Sequence, residues 1–403
     1  MRRPLIIIAA IVLIVGGGIA AYFYFFTGSP GITVAPAGSV SLPTAGQGAV
    51  PTLGQAPTSG IAAGLPVSIS ARLIRISAGP VVPGEAVVNI PAKDASSTPE
   101  TKISFIEQQS GNVFSYLTQG GVLTRTSSKT VPGIASALWT PDASLAFVRY
   151  LSGADFSTIN TYALPADSSA ASQGFFLPQN LSDVSVSSAG VLSLASGVNG
   201  SVASLQDTDG SRSSEIFTTP LSALRIAFAG KNQYLAFTKP SAMLSGDAFL
   251  VDGTGHFSRV AGPRNGLVAL ASPLGKFVLV SYTLGSTMQM ELVVVATGEA
   301  IPLPVATIAD KCVWAADESA VYCGVPSDPP ATYAYPDDWY QGAVHFSDRI
   351  WKIDVAGRFA QLVLDFPTET EQNLDAEALA LDSALTTLVF INKNDGSLWS
   401  YSL

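Results

Sequence analysis

Two cysteines and two histidines in 403 residues remove whole classes of chemistry. Cys312 and Cys323, with the remote His256 and His345, lack the ligand set and spacing of a zinc site. Only the two histidines offer an imidazole base, and His256 sits in a Gly-rich turn, Gly253–His256. No Gly-x-Ser-x-Gly elbow with a following α/β domain is present, which argues against a propeller-capped hydrolase. Charge is scarce too: 13% of residues, against the usual quarter or so of a soluble chain. No basic stripe exists, so nucleic acid and anionic lipid headgroups are poor candidates for partners, and no nucleic acid is expected. The run Asp207–Glu215 has the look of a calcium loop but lacks the carboxylate at its twelfth position, where Thr218 stands; it reads as an Asp-Gly hairpin turn. No motif asks for a metal or a cofactor, and no catalytic residue is assigned. Adjacent carboxylates such as Asp337 and Asp338 diverge along the chain.

What is present is a beat of paired apolar strands from about Ala71 to Leu403. One half reads Leu138-Trp139-Thr140-Pro141-Asp142-Ala143-Ser144-Leu145-Ala146-Phe147-Val148, and related runs begin at Ile226, Val268, Val313 and Ala378. The second-strand anchors Leu145, Leu192, Leu235, Phe277, Val321 and Leu388 are separated by 47, 43, 42, 44 and 67 residues. A strand-built period in the low forties marks a β-propeller with one sheet per repeat. Second hairpins, such as Asn112–Leu117, Asp247–Gly253 and Arg349–Asp354, alternate apolar and polar residues and close on Gly-bearing turns.

The expected fold is therefore all-β: seven four-stranded blades, with six as the alternative because the first blade's inner strands near Val87 and Ile103 are weakly marked. The last repeat ends after one strand, Ser397–Leu403. The segment Leu73–Ser77 with Val82-Pro83-Gly84 echoes Leu123–Ser127 with Val131-Pro132-Gly133, an outermost strand and its exit loop. Leu73–Ser77 is thus expected to pair with the C-terminal strand and close blade seven, removing a raw edge.

The Trp139-Thr140-Pro141-Asp142-Ala143-Ser144-Leu145-Ala146-Phe147 run resembles the hairpin motif of TolB-type and WD-repeat propellers. The resemblance extends over most of Ala71–Leu403, although several blades lack the Pro-Asp pair and Ala143 stands where a glycine is usual. It implies the fold and a general binding role, and it carries no specific partner.

Ahead of the repeats, Met1-Arg2-Arg3 precedes an uncharged stretch from Leu5 to Phe26. Those 22 residues would span roughly 33 Å as a helix, enough for a bilayer core. Residues 1–26 read as a cytoplasmic stub and uncleaved single-pass signal anchor, with the propeller outside; a cleaved signal peptide is the competing reading. Residues 27–66 are Gly-, Pro-, Ala-, Ser- and Thr-rich without one charge and read as a flexible linker. Residues 67–403 form the extracytoplasmic propeller. Without Arg2 and Arg3 the chain keeps 19 basic against 30 acidic residues, a balance of about −11.

Two further features bear on function. With a four-residue turn at Ala316–Ser319, Cys312 falls across from Cys323, and an oxidising exterior permits a disulfide; two buried thiols are the alternative. The long blade-six insertion from Pro326 to Asp348 interleaves Tyr333, Tyr335, Trp339, Tyr340, His345 and Phe346 with Asp337 and Asp338. Such rings and carboxylates suit peptides, sugars or cationic groups, or else simply plug the loop onto its blade. The leading expectation is a membrane-tethered module that docks an envelope or surface protein or peptide through these residues. A glycan-binding lectin comes second, and an enzyme with an unrecognised channel site third.

Overall fold

The computed structural model describes residues 65–92, 99–127, 131, 133–167 and 174–403. The expected anchor at 1–26 and the linker up to residue 64 lie outside them. Among the described residues no helix is long and apolar enough to cross a membrane.

Seven antiparallel sheets make a seven-bladed β-propeller. The innermost strands, in blade order, are Ala86–Ile90, Ile134–Trp139, Leu181–Ser187, Leu224–Phe228, Val268–Ala271, Cys312–Trp314 and Ala376–Leu381. The first blade is complete, with Val87 directly opposite Ile103. Closure follows the expected route: Leu73, Ile74 and Arg75 pair with Tyr401, Ser400 and Trp399. A short fifth strand, Val67–Ser68, pairs outside Leu73–Arg75, an addition the repeat pattern does not announce.

Each blade's second strand is covered by a neighbouring blade on both faces, so it reads as a continuous apolar run rather than an alternation. Ala320–Pro326 and Thr387–Asn392 are buried at every position. The turns after inner strands use local chemistry. In the Thr140–Leu145 turn, Asp142 Oδ1 accepts from Thr140 Oγ1 at 2.6 Å and the Ser144 amide at 3.1 Å. Those bonds hold Ala143 at φ 56°, the left-handed region where a glycine is usual.

Cys312 pairs with Cys323 in register and the two form a disulfide. Asp207–Arg212 is a hairpin turn, with the Gly210 amide donating to Asp207 O at 2.9 Å. The acidic segment Asp365–Glu371 holds a helical turn over Phe366–Thr370 whose Phe366 is fully buried.

Candidate functional site at the channel mouth

Inner strands of a propeller line its central channel. Residues at their first ends share one face with the loops between blades and with the blade-six insertion. That end carries a collar of charge in an otherwise charge-poor chain.

Blade one contributes Glu85. The Val82-Pro83-Gly84 exit loop sets its position: Gly84 has φ 106°, and a Cβ there would lie 1.9 Å from Ala137 O. Trp139 Nε1 donates to Gly84 O at 3.1 Å and fixes the loop to blade two. Both Glu85 carboxyl oxygens are enclosed and have no hydrogen-bond partner among the described residues. Burial, and then the nearby charge of Glu377, push this carboxyl well above the ordinary glutamate range. Both causes favour the protonated acid.

Glu377 comes from the inner strand of blade seven, at a β-bulge between Glu377 and Ala380 with Ala378 at φ 50°. Bulges re-aim side chains; here Glu377 meets Lys393 Nζ at 3.1 Å, and each partner keeps 18% exposure. This end of the collar therefore communicates with solvent.

The opposite side runs through blades two to six. Arg149 Nη2 donates to Leu181 O at 2.6 Å. Asp183 accepts from the amides of Ile226 at 2.8 Å and Val184 at 3.0 Å, and burial raises its carboxyl. Arg225 Nη1 meets Asp310 Oδ2 at 2.6 Å, and Tyr340 Oη donates to the same oxygen at 2.7 Å. Burial and the Asp310 charge hold the Tyr340 phenol protonated, well above its usual range.

Between these arcs lies a fully buried cluster. Lys311, Asp348 and Asp375 have no side-chain exposure. Lys311 Nζ lies 2.8 Å from Asp348 Oδ2, contacts Asp375 Oδ1, and donates to Ala376 O at 2.9 Å. Burial pushes the Asp348 carboxyl up to about 6, opposed chiefly by Lys311.

The insertion folds inward over this collar. Trp339 Nε1 donates to the two Asp375 oxygens at 3.2 and 3.1 Å, and its ring stacks on Phe346. Tyr335 is buried with its hydroxyl on Pro330 O at 2.7 Å; burial, then Asp338, raise that phenol to about 12. Asp338 accepts from the Ala334 amide at 2.7 Å, and Asp337 accepts from the Ala242 amide of blade four. Tyr333 packs on the blade core, while His345 is half exposed, 3.9 Å from Asp375. The insertion thus gathers all eight of its singled-out residues, with Trp339, Phe346 and Tyr335 serving as core and Tyr340 reaching the collar. Sequence reasoning passed over Glu85, Glu377, Lys311, Asp375, Arg225 and Lys393. The available signals were the repeated Val-Pro-Gly exit loop and a lysine opening an apolar strand.

No family model matches the chain, and no curated protein matches it. Solved structures do. An oligogalacturonate lyase in complex with manganese has a TM-score of 0.52 at 11% identity, covering 80% of this chain and 98% of its own. The oligogalacturonate lyase of Vibrio parahaemolyticus gives 0.52 at 9%, with the same coverage. The β-propeller domain of the Trilobed protease from Pyrococcus furiosus gives 0.44 at 9%, over 84% of this chain and 92% of its own. At such identities the likeness is one of fold.

This comparison corrects the leading expectation of a protein- or peptide-docking module: the propellers matched over nearly their whole length are enzymes. The insertion that was to dock a partner also spends its largest rings inside the molecule. Among the described residues no group of three or more His, Cys, Asp or Glu side chains is placed to hold a metal.

Proposed function

We propose that the propeller is a glycan-acting enzyme that cleaves glycosidic bonds at the channel mouth by acid catalysis. The observation that carries this reading is the pairing of Glu85, an enclosed carboxyl without a partner, with Glu377, an ion-paired carboxylate open to solvent. Two carboxyl groups in environments that separate their protonation are the working pair of most glycosidases. Glu85 donates a proton to the departing glycosidic oxygen, Glu377 supports the positive charge that develops on the sugar ring, and a water then bonds to the anomeric carbon and returns a proton to Glu85. Lys393 lines the approach as a donor to sugar hydroxyls.

The substrate class follows from charge. The collar sets six carboxyl groups (Glu85, Asp183, Asp310, Asp348, Asp375, Glu377) against four cations (Arg149, Arg225, Lys311, Lys393). Glu85 holds a proton, and Lys311, Asp348 and Asp375 are shut away from solvent. Asp183, Asp310 and Glu377 then balance Arg149, Arg225 and Lys393, and a collar so balanced suits a neutral glycan rather than a polyanion. The expected N-terminal anchor and linker would hold this activity at the outer membrane surface, near envelope polysaccharides.

The test uses the purified full chain against neutral polysaccharides and oligogalacturonate, following new reducing ends and unsaturated products separately. Turnover of a neutral glycan, reduced about 100-fold or more by Glu85→Gln, is expected. No turnover of any glycan, or a Glu85→Gln variant as active as the parent, would refute the assignment.

A further inference from the structure

We propose that Lys311 and Asp375 become joined by an intramolecular amide bond, formed autocatalytically with Asp348 as the proton shuttle. This inference stands apart from the glycan reading and rests on the buried cluster alone. An amine, an electrophilic carboxyl and a third carboxyl meet there, all without exposure. Trp339 and Phe346 wall off water, their ring centroids 4.8 and 5.2 Å from Lys311 Nζ.

The cluster holds one cation and two carboxyls, an arrangement expensive to keep ionised away from water. Proton transfer from the Lys311 ammonium to a carboxylate leaves a neutral amine and a neutral acid, the forms condensation requires. One oxygen of Asp348, Oδ1, is buried without a hydrogen-bond partner among the described residues, as a carboxyl waiting to pass a proton would be. Asp375 is prepared as the electrophile. The Phe346 amide donates to its Oδ2 at 3.0 Å and Trp339 Nε1 to the same oxygen at 3.1 Å. Two donors on one oxygen are placed where negative charge appears in a tetrahedral intermediate. The other oxygen, Oδ1, is the one Lys311 Nζ contacts.

The step balances without any co-reactant. The Lys311 nitrogen lone pair forms a bond to Asp375 Cγ, and the electrons of the carbonyl move to Oδ2. The Asp348 carboxylate takes a proton from the nitrogen and passes it to Oδ1, which already carries the proton given up by the ammonium. As the electrons return, the Cγ–Oδ1 bond breaks and Oδ1 leaves as water. One ammonium and one carboxylate become one amide and one water; nothing is oxidised or reduced. The bond ties the lead-in of blade six to that of blade seven, across 64 residues of chain, beside the Cys312–Cys323 disulfide.

The experiment is peptide mapping of the purified full chain by proteolysis and tandem mass spectrometry. The expected result is a branched species containing Lys311 and Asp375, one water lighter than its two arms, with trypsin cleavage after Lys311 lost. In Asp348→Ala the branched species should disappear and cleavage after Lys311 should return. Linear peptides bearing unmodified Lys311 and unmodified Asp375 from the parent chain, with no branched species, would overturn the proposal whatever the variant does. A folded Asp348→Ala chain that still carries the branch would overturn the role given to Asp348.

Discussion

Two sets of carboxyl groups flank Trp339, and they use the same ingredients differently. On one side Lys311 faces Asp348 and Asp375 with no exposure at all; on the other Lys393 faces Glu377 with partial exposure, and Glu85 stands beside them unpaired. The indole is shared, with Lys311 Nζ 4.8 Å and Lys393 Nζ 4.6 Å from its ring. The dry set has backbone donors on its carboxylates (Phe346 and Ala376 amides), so its geometry is fixed from several directions. The wetter set leaves one carboxyl uncommitted. Solvent access at Lys393 and Glu377, rather than residue type, separates the cluster that holds the blades together from the pair able to act on a substrate.

Substitution can break this contrast. The largest effect is expected from Lys311→Met, which strands two buried carboxylates and should cost about 3–5 kcal/mol in chemical denaturation of the full chain. Lys393→Met, at the exposed set, should cost under about 1 kcal/mol. A cost for Lys393→Met equal to that for Lys311→Met would erase the distinction. Gly84→Ala comes next. Its positive φ and the contact with Ala137 O should cost about 2–4 kcal/mol and displace Glu85, so glycan turnover should fall alongside stability.

Cys323→Ala should lower stability by about 2–3 kcal/mol, since the disulfide closes a loop of separation 11 and short loops gain less. Dithiothreitol should mimic it in the parent and change nothing in the variant. The smallest effect is one of pH. Asp348 is raised from 3.8 to about 6 by burial, so the folded chain holds its proton where the unfolded chain has released it. Its contribution is full below about pH 4 and is lost as pH rises through about 6. Denaturation midpoints should therefore decline across that window in the parent and decline less in Asp348→Asn; identical profiles would remove Asp348 as the cause.

Part of this organisation is legible in the residues themselves. The blade count, the use of Leu73–Arg75 to close blade seven, and Cys312 opposite Cys323 all rest on local rules: period-two burial, turn length and hairpin register. Those rules act over a dozen residues or on repeated units, and they carry over to space without further information. The insertion marks the limit. Its rings and carboxylates were visible as a group, but their direction was not, because it depends on Asp375 of the next blade accepting from Trp339 and on Ala242 of blade four donating to Asp337.

The chain by itself determined a ring of repeated sheets, with seven blades ahead of six, a seam closed by Leu73–Ser77, and Cys312 opposite Cys323, since each follows from patterns written within repeats. The count of seven and the disulfide itself came with the structure. The tertiary structure alone decided that Glu85 meets Glu377 across the seam between blades seven and one, and that Lys311 meets Asp348 and Asp375. Those groups come from different strands and blades, and the protonation of Glu85 and Asp348 depends on burial. Burial is a property of the closed ring, and no single repeat contains it.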